Sequence, residues 1–532
     1  MRSPVRFALL VLAVRACALA DNYPRQPGVD AQHYIFRVTL SDATDEISAE
    51  STAVLRFVQQ GVAQVALDLA SPKDGKGMQV TAVTMDGVPV RFTHAADRLV
   101  IALPAASQPG QLREFTVSYH GVAANGLHAV NNKFGERTFF SWNWPTLARQ
   151  WLPVIDHPSD KATSEFLVTA PARYQVVANG LLVETTDLPD GRRLTHWKQS
   201  VPIATWLNNI GVATFTSRYL GVAGGVPLQT WVFPQDRENG IVAFDEPLRQ
   251  AIDFFTSHIG PYPYEKLAAV EAAQMGGGME HASAIFFGER SVSGRPAFGL
   301  VAHEVSHQWW GDSVTERDWD DAWLSEGFAT YFAALATEHY QGRDAFTALM
   351  KRSRDNILAM EKHTPDIAVV HDNLPEIQNG RPPVGIVYQK GGWALHILRG
   401  VIGTENFWKG IREYYRRYRD ANASTADFRR VMEEASAADL GWFFEQWLMR
   451  PGSPAIEWSW RFNAEKKKVE LSLTQIQPGG AFRLPMEVSV AGRIERINVT
   501  AKQQRFDLAA ETAPAAVELD PNTWVLMEAR LK

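Results

Sequence analysis

Val301-Ala302-His303-Glu304-Val305-Ser306-His307-Gln308-Trp309-Trp310 contains His-Glu-x-x-His. Read as an α-helix, it sets two imidazoles four residues apart, one turn above the other on one face. One metal ion can take both, with Glu304 reaching the water beside it. A chance match to three fixed positions in a chain of this size is on the order of a few per cent, so the motif argues for a metal by itself. Glu326 follows nineteen residues after His307, in Trp323-Leu324-Ser325-Glu326-Gly327-Phe328-Ala329. A third ligand from a second helix completes a His303/His307/Glu326 set with one position open, the catalytic rather than the structural arrangement of zinc. The open position holds a water whose pKa falls to ~7, and Glu304 is placed as its general base. The competing reading is a helix whose histidines are merely packed or exposed.

The surrounding composition is that of a globular protein. The chain has 532 residues, 45% apolar and 21% charged, which predicts three or four domains. A net charge of −6 and the absence of any long basic run exclude a nucleic-acid partner; Lys466-Lys467-Lys468 reads as a strand end or turn. Trp309, Trp310, Trp319 and Trp323 stand near the motif and read equally as pocket wall or as core. At the N-terminus, Arg2 and Arg6 flank the start of an apolar run from Phe7 to Val14, and Ala18-Leu19-Ala20 precedes Asp21. This is the pattern of a secretory signal peptide cleaved after Ala20, so the protein is expected to be exported, periplasmic or secreted. Cys17 is the only cysteine; a lipid anchor on it is the other reading, and the cleaved chain would have no disulfide. No segment has the ~18 uncharged apolar residues that a membrane span needs.

In chain order, residues 21–235 are dominated by period-two alternation. Tyr34, Phe36, Val38 and Leu40 alternate with Ile35, Arg37 and Thr39, and turn pairs such as Asp86-Gly87 and Asn179-Gly180 recur. Many short strands predict an all-β domain. Residues 236–452 change texture. Phe244, Leu248, Ile252 and Phe255 fall at helical spacing before Gly260-Pro261-Tyr262-Pro263. A short strand is expected at Lys266–Glu271. Further helices are expected at Ala345–Met360, Gly391–Val401, Glu405–Tyr418 and Ala426–Ala435, with Ser424 or Thr425 as the last N-cap. After Pro451-Gly452-Ser453-Pro454, alternation returns at Trp458, Trp460 and Phe462, and predicts a small C-terminal β-sandwich over 453–532. The fold class is multidomain α+β.

Two more stretches bear on chemistry. Gly277-Gly278-Met279-Glu280-His281 is a glycine-rich edge that a substrate backbone can approach. A carboxylate there can bind an α-ammonium group, although in isolation Glu280 reads more readily as a surface residue on a turn. Tyr388, in Ile386-Val387-Tyr388-Gln389-Lys390-Gly391-Gly392, reads by itself as core.

His303-Glu304-x-x-His307, then eighteen residues, then Glu326, resembles the signature of the aminopeptidase N and leukotriene hydrolase family of zinc aminopeptidases. Gly277-Gly278-Met279-Glu280-His281 resembles the family's Gly-x-Met-Glu-Asn exopeptidase motif, and Tyr388-Gln389-Lys390-Gly391 its Tyr-x-Lys-Gly segment. The run from Arg149-x-x-Leu152-Pro153 through Asp156-x-Pro158-x-x-Lys161-Ala162 resembles a signature of its N-terminal β domain, and Phe443-Phe444-x-Gln446-Trp447 the close of its catalytic domain. The resemblance implies a thermolysin-like, mainly α catalytic domain and one zinc per chain on His303, His307 and Glu326. It implies Glu304 as general base, Tyr388 as donor to the oxyanion, Glu280 as anchor of the substrate's free N-terminus, and Gly277, Gly278 and Met279 beside the peptide. The sequence departs from the family at three places: His281 replaces the motif's Asn, Ala333 an acidic residue seven positions after the ligand Glu, and Trp144 a Glu or Gln. The chain also stops after the small β domain, without the large C-terminal helical domain of longer members. The expected activity is release of N-terminal residues from peptides. A non-peptidase hydrolase on the same scaffold and a catalytically weak, zinc-retaining peptide-binding protein are the alternatives.

Overall fold

The computed structural model describes residues 22–379 and 385–532; the expected leader and Cys17 lie outside them. In the strand Val29–Thr39, Tyr34, Phe36 and Val38 are at most 1% exposed while Arg37 faces solvent. Each such buried side chain contributes about 1.5–3 kcal/mol, so alternation fixes which face turns inward. This strand pairs antiparallel with Glu46–Phe57 and parallel with Lys161–Pro171 inside an eight-stranded sheet. A three-stranded and a four-stranded sheet complete the N-terminal layer, which encloses a hydrophobic core of its own.

Two strands placed before residue 235 join a different sheet from the rest of that layer. Thr216–Ala223 pairs with Val226–Val232, which pairs parallel with Leu267–Ala272; the sheet continues through Ala284–Gly288 to an edge strand at Gly278–Met279. Alternation reports the face a side chain takes and not the neighbour a strand chooses, so this partnership is illegible in sequence. The glycine-rich stretch is thus the edge of the sheet that backs the helices.

The helices then run Glu246–His258, Phe298–His307, Trp323–Gln341, Arg343–Glu361, Gly391–Ile402, Thr404–Tyr418 and Thr425–Ser436. Ser424 is the N-cap of the last: its hydroxyl accepts from the Asp427 N–H while the Asp427 carboxylate accepts from the Ser424 N–H, and Thr425 is the first helical residue. Such reciprocal caps satisfy two otherwise orphaned donors. π-helical turns at Ile241–Asp245 and Ile386–Lys390 and a short helix at Leu374–Asn379 were not foreseen. A π turn inserts one residue without disturbing the apolar face enough to show in spacing.

The C-terminal strands form a four-stranded and a three-stranded sheet, with Val469, Leu471 and Leu473 inward on one and Met486, Val488 and Val490 on the other. Their side chains join the catalytic core rather than enclosing a separate one. Lys466 and Lys467 lie in the turn that leads into Lys468–Gln475.

A buried polar seam fixes the N-terminal layer to the catalytic region. Lys161 Nζ donates to the carbonyls of Asp312 and Ser313, and Lys266 Nζ to those of Ala178 and Ser283. Asn179 and Asn209 donate to the carbonyls of Ala282 and Ala284. Leaving one such buried group unpaired costs ~1–3 kcal/mol, so the layers hold one relative position. Among the described residues no helix is long and apolar enough to cross a membrane.

Candidate metal centre

His303 and His307 lie one turn apart near the end of the Phe298–His307 helix, and Glu326 in the first turn of Trp323–Gln341. The two Nε2 atoms are 3.2 Å apart; Glu326 Oε2 stands 3.3 Å from that of His307 and 3.6 Å from that of His303. Ligands at about 2.0–2.1 Å in a tetrahedron are separated by about 3.4 Å, so the triangle has the edge length a zinc ion requires. The oxygen facing both imidazoles, Glu326 Oε2, is buried without a hydrogen-bond partner. His307 Nδ1 lies 3.1 Å from both the Trp310 carbonyl and the Ser325 hydroxyl, which orients Nε2 toward the other ligands. The residues fit zinc.

Bare backbone brings the parts together. A methyl on Gly278 would overlap the Glu304 carboxylate, so that carboxylate lies against the edge strand. A methyl on Gly327 would stand 2.8 Å from the Gly391 carbonyl carbon, and one on Gly391 3.1 Å from the Gly327 Cα. Real Cβ contacts do not tolerate the first and barely tolerate the second. The ligand helix therefore crosses the Tyr388 segment at van der Waals distance, and the Tyr388 ring lies parallel to His303 at 6.1 Å between centroids. Gln308 ties the metal helix to the edge strand: its Nε2 donates to the Glu280 carbonyl and to Asp312, and its Oε1 accepts from Ser283 N.

The electrostatics are lopsided. Glu280, Glu304 and His307 bring ligand atoms within 4.8 Å of one another. Burial pushes the Glu280 carboxyl up to about 7; His307 opposes this and Glu326 adds to it. Burial and Glu280 raise Glu304 well above its ordinary range. Burial works against His307 carrying a proton, but Glu280 and Glu326 outweigh it, and the imidazoles hold Glu326 down to about 2 despite its burial. Three carboxylates thus surround two histidines. A dication takes neutral imidazoles, so a metal held by His303 and His307 would work against that proton. Burial and the nearby Glu326 keep the Tyr388 phenol protonated, as a donor must be.

Residues 246–447 match the Peptidase family M1 domain, and residues 30–207 the Peptidase M1 N-terminal domain. The chain belongs to peptidase family M1. It is 24% identical over 482 residues to Probable aminopeptidase 1 of Sulfurisphaera tokodaii, covering 84% of this chain and 58% of that protein. It is 30% identical over 331 residues to human glutamyl aminopeptidase, covering 59% of this chain and 34% of that protein. The chain therefore spans well under two thirds of the length of either relative. A crystal structure of a mutant M1 zinc metallopeptidase from Deinococcus radiodurans shares the fold, with a TM-score of 0.65, 24% identity, and coverage of 80% of this chain and 95% of that one.

The departures of this M1 chain have structural meanings. His281 is fully buried, T-shaped against Phe286 at 4.9 Å, and burial lowers it to about 3; it is a neutral core residue. Trp144 is half-buried with its ring edge-on to Trp319. Ala333 leaves space: with Gly299, Thr330 and Gln389 it lines a cavity of about 360 Å³, one turn from His303 and Glu326. Trp309, Trp310, Trp319 and Trp323 are all at most 1% exposed and pack as core, and Trp319 also lines a cavity with Thr146, Arg149 and Gln378. Sequence reasoning missed Gln308 and Ser325. The only signal for either is its position beside a ligand.

Proposed function

We propose that this chain is a zinc-dependent aminopeptidase that hydrolyses the first peptide bond of peptides with a free N-terminus. The observation that carries the reading is Glu280. Its Oε1 is buried without a hydrogen-bond partner, one residue past the edge strand Gly278–Met279 and 3.9 Å from His307 Nδ1. A carboxylate in that position calls for a cation, and a substrate ammonium beside it places the first peptide bond over Glu304. His303, His307 and Glu326 would hold the zinc ion, which would supply Lewis-acid chemistry and a water acidic near neutral pH. Glu304 takes the water's proton and passes it to the leaving amine. Tyr388 donates to the carbonyl oxygen as negative charge grows there. Gly277, whose Cα faces open space, and Gly278 give the substrate backbone room against the edge strand.

Two of the relatives named above carry aminopeptidase names, one of them as probable, and Glu304, His303, His307, Glu326 and Tyr388 are all present. Neither a non-peptidase hydrolase nor a catalytically weak peptide binder is favoured by them. The leader pattern ahead of Asn22 supports export to the periplasm or beyond. The test is hydrolysis of aminoacyl arylamides and short peptides by zinc-loaded protein, with and without a chelator. Turnover is expected to require zinc and to vanish when the substrate amine is acetylated. Equal cleavage of acetylated peptides would overturn the role of Glu280, and no turnover of any free-amine substrate would overturn the reading as a whole.

A further inference from the structure

Besides the seam at Ala282 and Ala284, the N-terminal layer reaches the substrate edge through a hairpin. Its strands are Leu127–Asn131 and Arg137–Ser141, and its tip is Asn132 to Glu136. The Asn132 side chain accepts from the N–H groups of Phe134 and Glu136, so the tip is a formed turn. Phe134 lies edge-on to Phe233 at 6.5 Å. Lys133 crosses into the catalytic region, where its ammonium pairs with Asp236 and with Glu271 Oε1 at 3.2 Å. Both carboxylates are almost fully buried, while Lys133 is one-third exposed. Glu271 also accepts from the Phe233 N–H.

The hairpin also grips the turn that leads into Glu280. One oxygen of Glu289 accepts from the Lys133 N–H at 2.6 Å and the other from the Gln274 N–H at 3.0 Å. The Gln274 side chain donates back to the Asn131 carbonyl at 2.9 Å. Gln274 has a left-handed backbone, φ 55°. From there Met275 and Gly277 lie against Gly288: Gly288 N–H donates to the Gly277 carbonyl, and a methyl on Gly288 would overlap the Met275 carbonyl. Gly278 and Met279 then pair with Phe287 and Phe286. A continuous set of contacts thus runs from Lys133 to Glu280, and only Glu280 at its end approaches a metal ligand, His307.

We propose that Lys133 is a positioning residue for substrate: through Asp236, Glu271 and the Glu289 bridge, it fixes the Gln274–Glu280 segment where Glu280 meets the substrate ammonium. This rests on the aminopeptidase reading. Lys133→Met in zinc-loaded full-length protein is expected to raise KM for an aminoacyl arylamide about fivefold, with kcat within about twofold. Lys133→Arg, which keeps the charge, should restore KM. Glu289→Ala, on the accessible side of the bridge, should move KM the same way without leaving a buried charge unpaired. Hydrogen exchange over residues 273–280 should accelerate in Lys133→Met and Glu289→Ala and recover in Lys133→Arg. Unchanged exchange there, or a KM that Lys133→Arg fails to restore, overturns the proposal. Because exchange needs no turnover, an inactive protein would sink the aminopeptidase reading while the exchange data still judge this coupling.

Discussion

The N-terminal layer and the metal site both bury charge, and they treat it oppositely. In the layer, Asp68 accepts from Arg98, from Tyr23 and from the Asp156 N–H, and Asp156 in turn takes Arg149 at 2.8 Å. Both of these carboxylates have a cation within reach. At the metal site Glu280, Glu304 and Glu326 face two histidines, and Glu280 Oε1 and Glu326 Oε2 have no hydrogen-bond partner. Buried charge without a partner is costly. The first region has met that cost within the chain; the second has not, and the proposed function assigns it to a metal ion and a substrate ammonium. Compensated charge holds a structure together, and uncompensated charge marks where ligands belong.

Three substitutions probe this contrast. The largest effect is expected from Glu304→Gln. It should lower kcat by on the order of 10²–10⁴-fold, the usual worth of a general base, while bound zinc, measured by elemental analysis, stays at one per chain. The same change removes a surplus negative charge, so the metal-free protein should melt no lower than wild type. Asp68→Ala should do the reverse. It strands Arg98 and is expected to cost about 3–5 kcal/mol of stability in denaturant melts, with KM and kcat of the folded protein unchanged. The smallest effect concerns Asp160, the exception within the layer, whose Oδ1 is buried without a hydrogen-bond partner. Burial, with Asp30 nearby, pushes its carboxyl up to about 7. A carboxyl that holds its proton more tightly when folded stabilises at low pH, and that stability drains away as pH rises from about 4 toward its folded pKa. Asp160→Asn should therefore melt close to wild type at pH 4 and above it at pH 8. A difference that does not change with pH would show that Asp160 is already compensated.

The ligands were legible in sequence because their geometry is local. Four residues along a helix fix a shared face, and a single acidic residue at helical range completes the set. Glu280 and Tyr388 were not legible from their own residues. One read as a turn and the other as core, and only the family resemblance separated them from those readings. Their meaning comes from tertiary contacts: Gly278 lying under Glu304, and the Tyr388 ring facing His303 from 85 residues away. Gln308 was hidden for the same reason, since its partners Glu280 and Ser283 come from a different element. The β character of residues 216–232 was evident in alternation, but their place beside Leu267–Ala272 was not, because a period of two is silent about partners.

The crossing of Gly327 and Gly391 acts as a gauge with no adjustment screw. Where side chains fill a core, a gained or lost methyl is absorbed by rotamers that shift. Two backbones in contact have nothing to shift. Tolerance around this site is therefore uneven. The apolar positions nearby can drift in size and the walls of the cavity at Gly299 and Ala333 can be rebuilt, while the spacing between the Glu326 ligand and the tyrosine stays as the main chain sets it. Change can accumulate around the cavity; a one-carbon change at the crossing would have to move the main chain itself.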